Sequence, residues 1–231
     1  MTYATVLFDL DHTLFDTDTS ETAALQQTLC LAGIEDPGLH LDAYIEINAG
    51  LWAAVERGEI GAEGVRLTRF EQLVARTGLE ADPAELAEAF VDGLAAHGDL
   101  YPGAKCVLEE LSATTRLALV TNGLSEVQRI RIERLDIARC FDAVVISAEI
   151  GVAKPAAAFF DVAFELLGTA DRGSTLIVGD SLSADMRGGA DYGLATCWYN
   201  PHRRTAPSSA GIDHEVERLD QLPGIVGAGR P

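Results

Sequence analysis

Lysine is almost absent from this chain: Lys105 and Lys154 are the only two among 231 residues. With 17 basic against 36 acidic side chains, the formal net charge is −19, which excludes long-range steering of a nucleic acid polymer or an anionic membrane toward the surface. If the substrate is itself an anion, the site has to build a local positive potential from a metal ion, a lysine and backbone N–H groups. Cysteine is also scarce. Cys30, Cys106, Cys140 and Cys197 are far apart and form no C-x-x-C pair, which argues against a zinc site or a disulfide framework and predicts reduced, mostly buried thiols. No run approaches the ~18 apolar residues that cross a bilayer, and no basic stretch leads into an apolar one at the N-terminus, so a cytoplasmic protein without membrane partners is expected. Only 8 prolines, with hydrophobic residues at 48%, exclude a disordered composition. A chain of this length predicts one principal fold, or one fold carrying an insertion, and leaves monomer or homodimer open.

The apolar, partly β-branched run Ala4-Thr5-Val6-Leu7-Phe8 reads as a strand buried on both faces, ending abruptly in Asp9-Leu10-Asp11-His12-Thr13. From about Thr19 to Gly98 the pattern is helical, with apolar residues at three- and four-residue spacing over 21–32, 41–57, 65–77 and 83–97. Asp82 before Pro83 is a helix start, and Gly33, Gly58 and Gly78 mark helix ends. After Pro102-Gly103 an α/β rhythm resumes. Strands are predicted over 117–121, 143–147, 175–179 and 195–199, with helices over 104–112, 125–135, 156–167 and 184–192 between them. A strand near Glu215 and a short helix from Leu219 close the pattern, and the Gly-rich tail Gly224–Pro231 reads as frayed. The fold class is α/β: a doubly wound, Rossmann-like parallel sheet core (1–15 and 99–231) with an inserted α-helical cap (16–98).

Four segments stand at or just after predicted strand ends: Asp9-x-Asp11-x-Thr13, Thr121-Asn122-Gly123, Lys154-Pro155, and Gly179-Asp180-Ser181 with Asp185. In a parallel α/β sheet that edge borders the ligand crevice. Two acids two residues apart can divide labour, one attacking and the other exchanging a proton. Phosphoryl transfer needs an oxygen nucleophile in line with the leaving oxygen and positive charge around the equatorial oxygens. Asp9 and Asp180 are placed to hold Mg²⁺ as side-chain ligands, and Asp185 to orient Asp180 or metal-bound water, or else to cap the following helix. The Thr121 hydroxyl and the N–H of Asn122 or Gly123 can donate to phosphate, and Lys154 supplies a cation that general surface usage does not explain.

Together, Phe8-Asp9-Leu10-Asp11-His12-Thr13-Leu14, Val120-Thr121-Asn122-Gly123, Gly151-Val152-Ala153-Lys154-Pro155 and Val178-Gly179-Asp180-Ser181 with Asp185 resemble the four motifs of the haloacid dehalogenase superfamily. The resemblance implies that Asp9 is the nucleophile, that Asp11 is the general acid/base, and that Thr121 and Lys154 bind phosphate. It also implies Mg²⁺ held by Asp9, by the main-chain carbonyl of Asp11 and by Asp180. The dehalogenase branch characteristically lacks the acid at the position of Asp11, so its presence favours phosphate. A phosphatase or mutase for phosphoglycolate or a sugar phosphate keeps both acids and stays open, as does a regulatory module that only binds a phosphometabolite. Asn48-Ala49-Gly50-Leu51-Trp52, Gly58-Glu59-Ile60 and the stretch from Gly193 to Arg203 are similar to bacterial house-cleaning pyrimidine nucleotidases, implying a nucleoside 5′-monophosphate as the small phosphate ester. His12 and Pro201 depart from that pattern and leave base preference open. His12 reads as a partly exposed loop residue, Trp52 as helical-layer core, and Trp198, Tyr199, His202 and Arg203 as either packing or substrate contacts.

Overall fold

The computed structural model describes residues 3–168 and 171–227. Six parallel strands form one sheet in the order β3-β2-β1-β4-β5-β6: β1 (Thr5–Phe8), β2 (Arg116–Thr121), β3 (Ala143–Ile146), β4 (Thr175–Gly179), β5 (Ala195–Tyr199) and β6 (His214–Val216). Every side chain of β1 is buried, as expected for a central strand covered on both faces. Phe8 is in register with Leu119 of β2 and Val178 of β4. The chain builds outward from β1 to β3 on one side and from β4 to β6 on the other, so the direction of winding reverses between β1 and β4. Asp9 and Asp180 stand at the carboxyl ends of those two strands, beside the crevice that such a reversal opens.

Helices α1 (Thr17–Leu31), α2 (Leu41–Glu56), α3 (Ala62–Thr77) and α4 (Pro83–Ala96) lie between β1 and the first helix of the core. They have their own apolar centre, in which the rings of Tyr44, Phe70 and Phe90 pack with centroids 5.2–6.4 Å apart. Helices α1 and α4 approach closely at Gly93, where a Cβ would come within 2.9 Å of the Ala24 side chain. Asp82 caps α4 by accepting from the Ala84 N–H at 2.8 Å, with Pro83 in the first turn as read from the sequence. Helix α1 begins earlier than its apolar spacing implied, because Asp16 accepts from the Thr19 N–H at 3.1 Å and starts the helix there.

The remaining helices, α5 (Ala104–Ser112), α6 (Ser125–Arg134), α7 (Ser147–Ile150), α8 (Ala157–Leu167), α9 (Gly188–Tyr192) and α10 (Leu222–Val226), cover the sheet. Helix α7 is a single turn not expected from the sequence; only its first residue, Ser147, falls within the strand expected over 143–147. A second difference follows Asp180: residues 182–187 wind as a π-helix before α9, and Ser181 caps it by accepting from the Ala184 N–H at 3.0 Å. That excludes the capping role for Asp185 and leaves its carboxylate free to point inward. Gly224 belongs to α10 rather than to a frayed tail, and residues 228–231 of that predicted tail lie outside the described residues. All four cysteines are free, but only Cys140 and Cys197 are buried; Cys30 and Cys106 face outward from α1 and α5, correcting the expectation of mostly buried thiols.

Candidate active site

Lys154 is the centre of the site. Its side chain is 1% exposed, and Nζ donates to Asp9 Oδ1 at 2.7 Å and to Asp185 Oδ1 at 2.6 Å. Its backbone is held by the Asn122 side chain, which donates through Nδ2 to the Lys154 carbonyl and accepts from the Lys154 N–H, both at 2.9 Å. Asn122, expected from the sequence as a phosphate donor through its N–H, uses its side chain to fix the lysine backbone. The neighbouring Gly123 N–H is engaged by Ser147 Oγ at 3.2 Å. Thr121 ends β2 fully buried, its hydroxyl accepting from Gln128 Nε2 at 3.0 Å.

Asp9, Asp180 and Asp185 each present a carboxylate oxygen within 4.8 Å of the other two. Asp185 fits there because Gly179 has no side chain: a Cβ at that position would collide with the Asp185 carboxylate. Its Oδ2 accepts from the Ser181 N–H at 3.1 Å, and with Oδ1 on Lys154 both oxygens are spoken for. Asp9 and Asp180 are the pair left to share a cation. Burial raises Asp9 to about 7 although Lys154 opposes the shift, and burial and the Asp9 charge raise Asp180 to about 6. A buried and a half-buried carboxylate that repel each other are a hard-oxygen donor set suited to Mg²⁺.

Asp11 lines the same cavity but is not part of that triangle. Its Oδ1 accepts from Arg131 Nη1 and Thr17 Oγ1, each at 2.9 Å, and its Oδ2 from Gln128 Nε2 at 2.5 Å. Arg131 and Gln128 project from one face of α6, three residues apart, yet neither was found from the sequence, since an arginine or glutamine on a helix carries no local signal of inward direction. Trp198 is buried and donates through Nε1 to the Asp180 carbonyl at 2.9 Å, so its indole holds the loop that carries Asp180. Arg204 reaches the same carbonyl at 3.1 Å, whereas Arg203 turns outward to Glu217 at 2.8 Å. The turn between them is fixed by buried Asn200, which binds both the N–H and the carbonyl of Arg204.

A cavity of about 510 Å³ joins these groups to the helical layer. Asp9, Lys154 and Asp180 form its floor, and Glu21, Asn48 and Trp52 are among the residues of its roof. Trp52 therefore packs on the helical core and also borders the cavity. His12, with φ 61°, stands at the side; burial disfavours its charged form, but Asp180 and Asp11 together with Asp18 and Glu21 outweigh that and raise it. Glu56 closes one edge, accepting from Ser183 Oγ at 2.5 Å and Ser181 Oγ at 3.3 Å across the two layers.

The site thus sits on a doubly wound α/β core, with Asp9 and Asp180 at the switch point, a buried lysine on Asp9 and Asp185, and a helical insertion between β1 and the rest of the core. The family model for haloacid dehalogenase-like hydrolases matches residues 3–193, and the chain belongs to that family. It is 35% identical over 217 residues to the pyrimidine 5′-nucleotidase YjjG of Escherichia coli, covering 94% of this chain and 95% of the relative. It is also 35% identical over 223 residues to the pyrimidine 5′-nucleotidase PynA of Streptococcus pneumoniae, covering 96% and 94%. Among solved structures, the putative HAD-hydrolase YfnB of Bacillus subtilis, bound to magnesium, superposes with a TM-score of 0.90 at 33% identity over 98% of this chain and 99% of that one.

Proposed function

We propose that this chain is a Mg²⁺-dependent phosphatase of nucleoside 5′-monophosphates, with pyrimidine nucleotides preferred. The observation that carries the reading is the Asp9 carboxylate, which lies 2.7 Å from the Lys154 ammonium and within ion-sharing range of Asp180, at the floor of a cavity roofed by the helical layer. Likeness to two pyrimidine 5′-nucleotidases over nearly the full length supports the substrate class.

Asp9 attacks phosphorus, forming an aspartyl phosphate as the bond to the nucleoside 5′ oxygen breaks, and Asp11 delivers the proton that the departing oxygen needs. Asp11 then takes a proton from water as that water attacks the aspartyl phosphate and releases inorganic phosphate. Lys154 keeps Asp9 oriented and spreads positive charge over the transferred group. The carboxylates of Asp9 and Asp180 and the main-chain carbonyl of Asp11 would hold Mg²⁺, which would supply the positive charge that lets an anionic attacker meet an anionic ester. Asp185 acts by fixing Lys154. Residues 16–98 form the cap, which closes over the floor and excludes bulk water.

Release of inorganic phosphate from a panel of nucleoside monophosphates and sugar phosphates, with and without Mg²⁺ and beside Asp9→Asn, tests this. Metal-dependent turnover highest on pyrimidine nucleotides is the expected result. Preference for sugar phosphates, isomer conversion without phosphate release, or full activity of Asp9→Asn would overturn it.

A further inference from the structure

The chemistry proposed for the floor gives no task to Arg69 of the roof. Arg69, on α3, is 1% exposed and lines the cavity. Its Nε donates to the Val65 carbonyl at 3.2 Å, and Nη1 donates to the Tyr44 hydroxyl at 3.2 Å and to Asn48 Oδ1 at 3.3 Å. The guanidinium carbon lies 5.1 Å from the centre of the Phe90 ring. Nη2 donates to no group among the described residues. Nη2 is not among the buried polar atoms left without a partner, so it keeps a small opening, and the cavity that Arg69 lines is where an acceptor can reach it.

Its neighbours narrow what that acceptor is. Glu21 also lines the cavity and accepts from both directions of the Asn48 amide nitrogen, Nδ2 lying 2.9 Å from Oε1 and 3.1 Å from Oε2. Arg69, Asn48 and Glu21 thus form a chain of fixed groups across the roof, in which Arg69 is the member with free donors. Ile45, Trp52, Leu124 and Val127 give the cavity apolar walls nearby. Apolar walls with few fixed polar groups suit a planar ring carrying a hydrogen-bond acceptor better than a polyhydroxylated chain, which needs many partners. The phosphate already has Lys154 on the floor, so the roof donor is available to the other end of the ester.

We propose that Arg69 is a specificity-determining residue that donates through Nη2 to a ring carbonyl oxygen of the substrate's base, held in place by Asn48 and Tyr44. The inference rests on the nucleotidase reading and adds to it the residue that recognises the leaving group. Its test compares kcat/KM for uridine 5′-monophosphate and for ribose 5-phosphate, which has the same reacting end and no base, in the wild type and Arg69→Gln. The nucleotide value should fall roughly 10- to 100-fold, mainly through KM, while ribose 5-phosphate changes by no more than about twofold. Equal losses on both substrates, or no loss on the nucleotide, overturn the assignment while leaving nucleotide hydrolysis by the wild type intact. Should Arg69→Gln not fold, Asn48→Ala, which frees the guanidinium but keeps the apolar centre, has to give the same selective loss in smaller measure; a non-selective loss overturns the assignment equally. Wild-type turnover of ribose 5-phosphate without any on the nucleotide overturns the nucleotidase reading itself, and the role of Arg69 with it.

Discussion

Arg131 Nη1 stands 2.9 Å from Asp11 Oδ1, and the same guanidinium holds the helical layer: Nε donates to the Leu94 carbonyl and Nη2 to Ser20 Oγ, both at 3.0 Å. The guanidinium carbon also lies 4.3 Å from the centre of the Phe15 ring. One side chain of the core therefore fixes both the proposed acid/base and the position of α1 and α4 above it. A lysine cannot reproduce this, because a point charge on a flexible stem lacks the planar fork. Arg131→Lys should lower kcat about 10- to 100-fold with the fold retained, read from steady-state kinetics beside circular dichroism. Unchanged kcat would show that Asp11 needs no such support.

Asp9→Asn removes the attacking oxygen at almost constant volume. It also removes one of the site's carboxylates that burial strains, so stability should hold or rise while turnover falls by at least about 10⁴-fold. Asp11→Asn should slow phosphate release by roughly 10²- to 10⁴-fold, and less for substrates whose leaving oxygen needs no proton. A phosphate-release assay on a nucleotide and on an aryl phosphate, together with a melting curve, separates these outcomes.

The strand-end acids were legible because short apolar runs stop sharply at them, and a parallel sheet brings distant strand ends to one edge. Asp9, Asp180, Asp185 and Lys154 meet for that reason. Asp185 was readable as part of the site but not as the partner of Lys154, since that contact depends on the turn held by Ser181 and on the space left by Gly179. Arg131, Gln128 and Arg69 were invisible: polar residues on helices are normally solvated, and their inward direction is decided by packing between α6, α3 and the neighbouring layer. Arg204 was missed in favour of Arg203 because one residue of turn geometry, set by Asn200, decides which of the two reaches Asp180.

Lys154 separates two buried carboxylates, so its loss leaves an uncompensated pair rather than a merely broken bridge. Lys154→Met should lower the stability of the metal-free protein by about 3–5 kcal/mol, a fall in Tm on the order of 10 °C, and abolish measurable turnover. Asp185→Asn, which keeps the lysine and the shape of the loop, should cost less stability and act on kcat through a displaced Nζ. If the two variants melt alike, the contact between Lys154 and Asp185 contributes little to either.

Metal and pH should act on stability together. Asp9 and Asp180 bind protons more tightly in the folded chain, at about 7 and about 6, than their ordinary value of 3.8 in the unfolded one. Each therefore contributes stability that is fully present below pH 4 and is lost as pH rises through 6 and 7, because the folded state must then carry buried, repelling carboxylates. A divalent cation held between the two removes that penalty, and it competes with their protons. The rise in Tm produced by Mg²⁺ over a chelator-treated sample should accordingly be small near pH 5 and grow toward pH 8. Asp180→Asn should flatten this dependence, since it removes both a ligand and one of the two protons with which the ion competes. Differential scanning calorimetry across that range, with Mg²⁺ or with chelator, gives the measurement; a Mg²⁺ increment independent of pH would mean that the ion binds elsewhere.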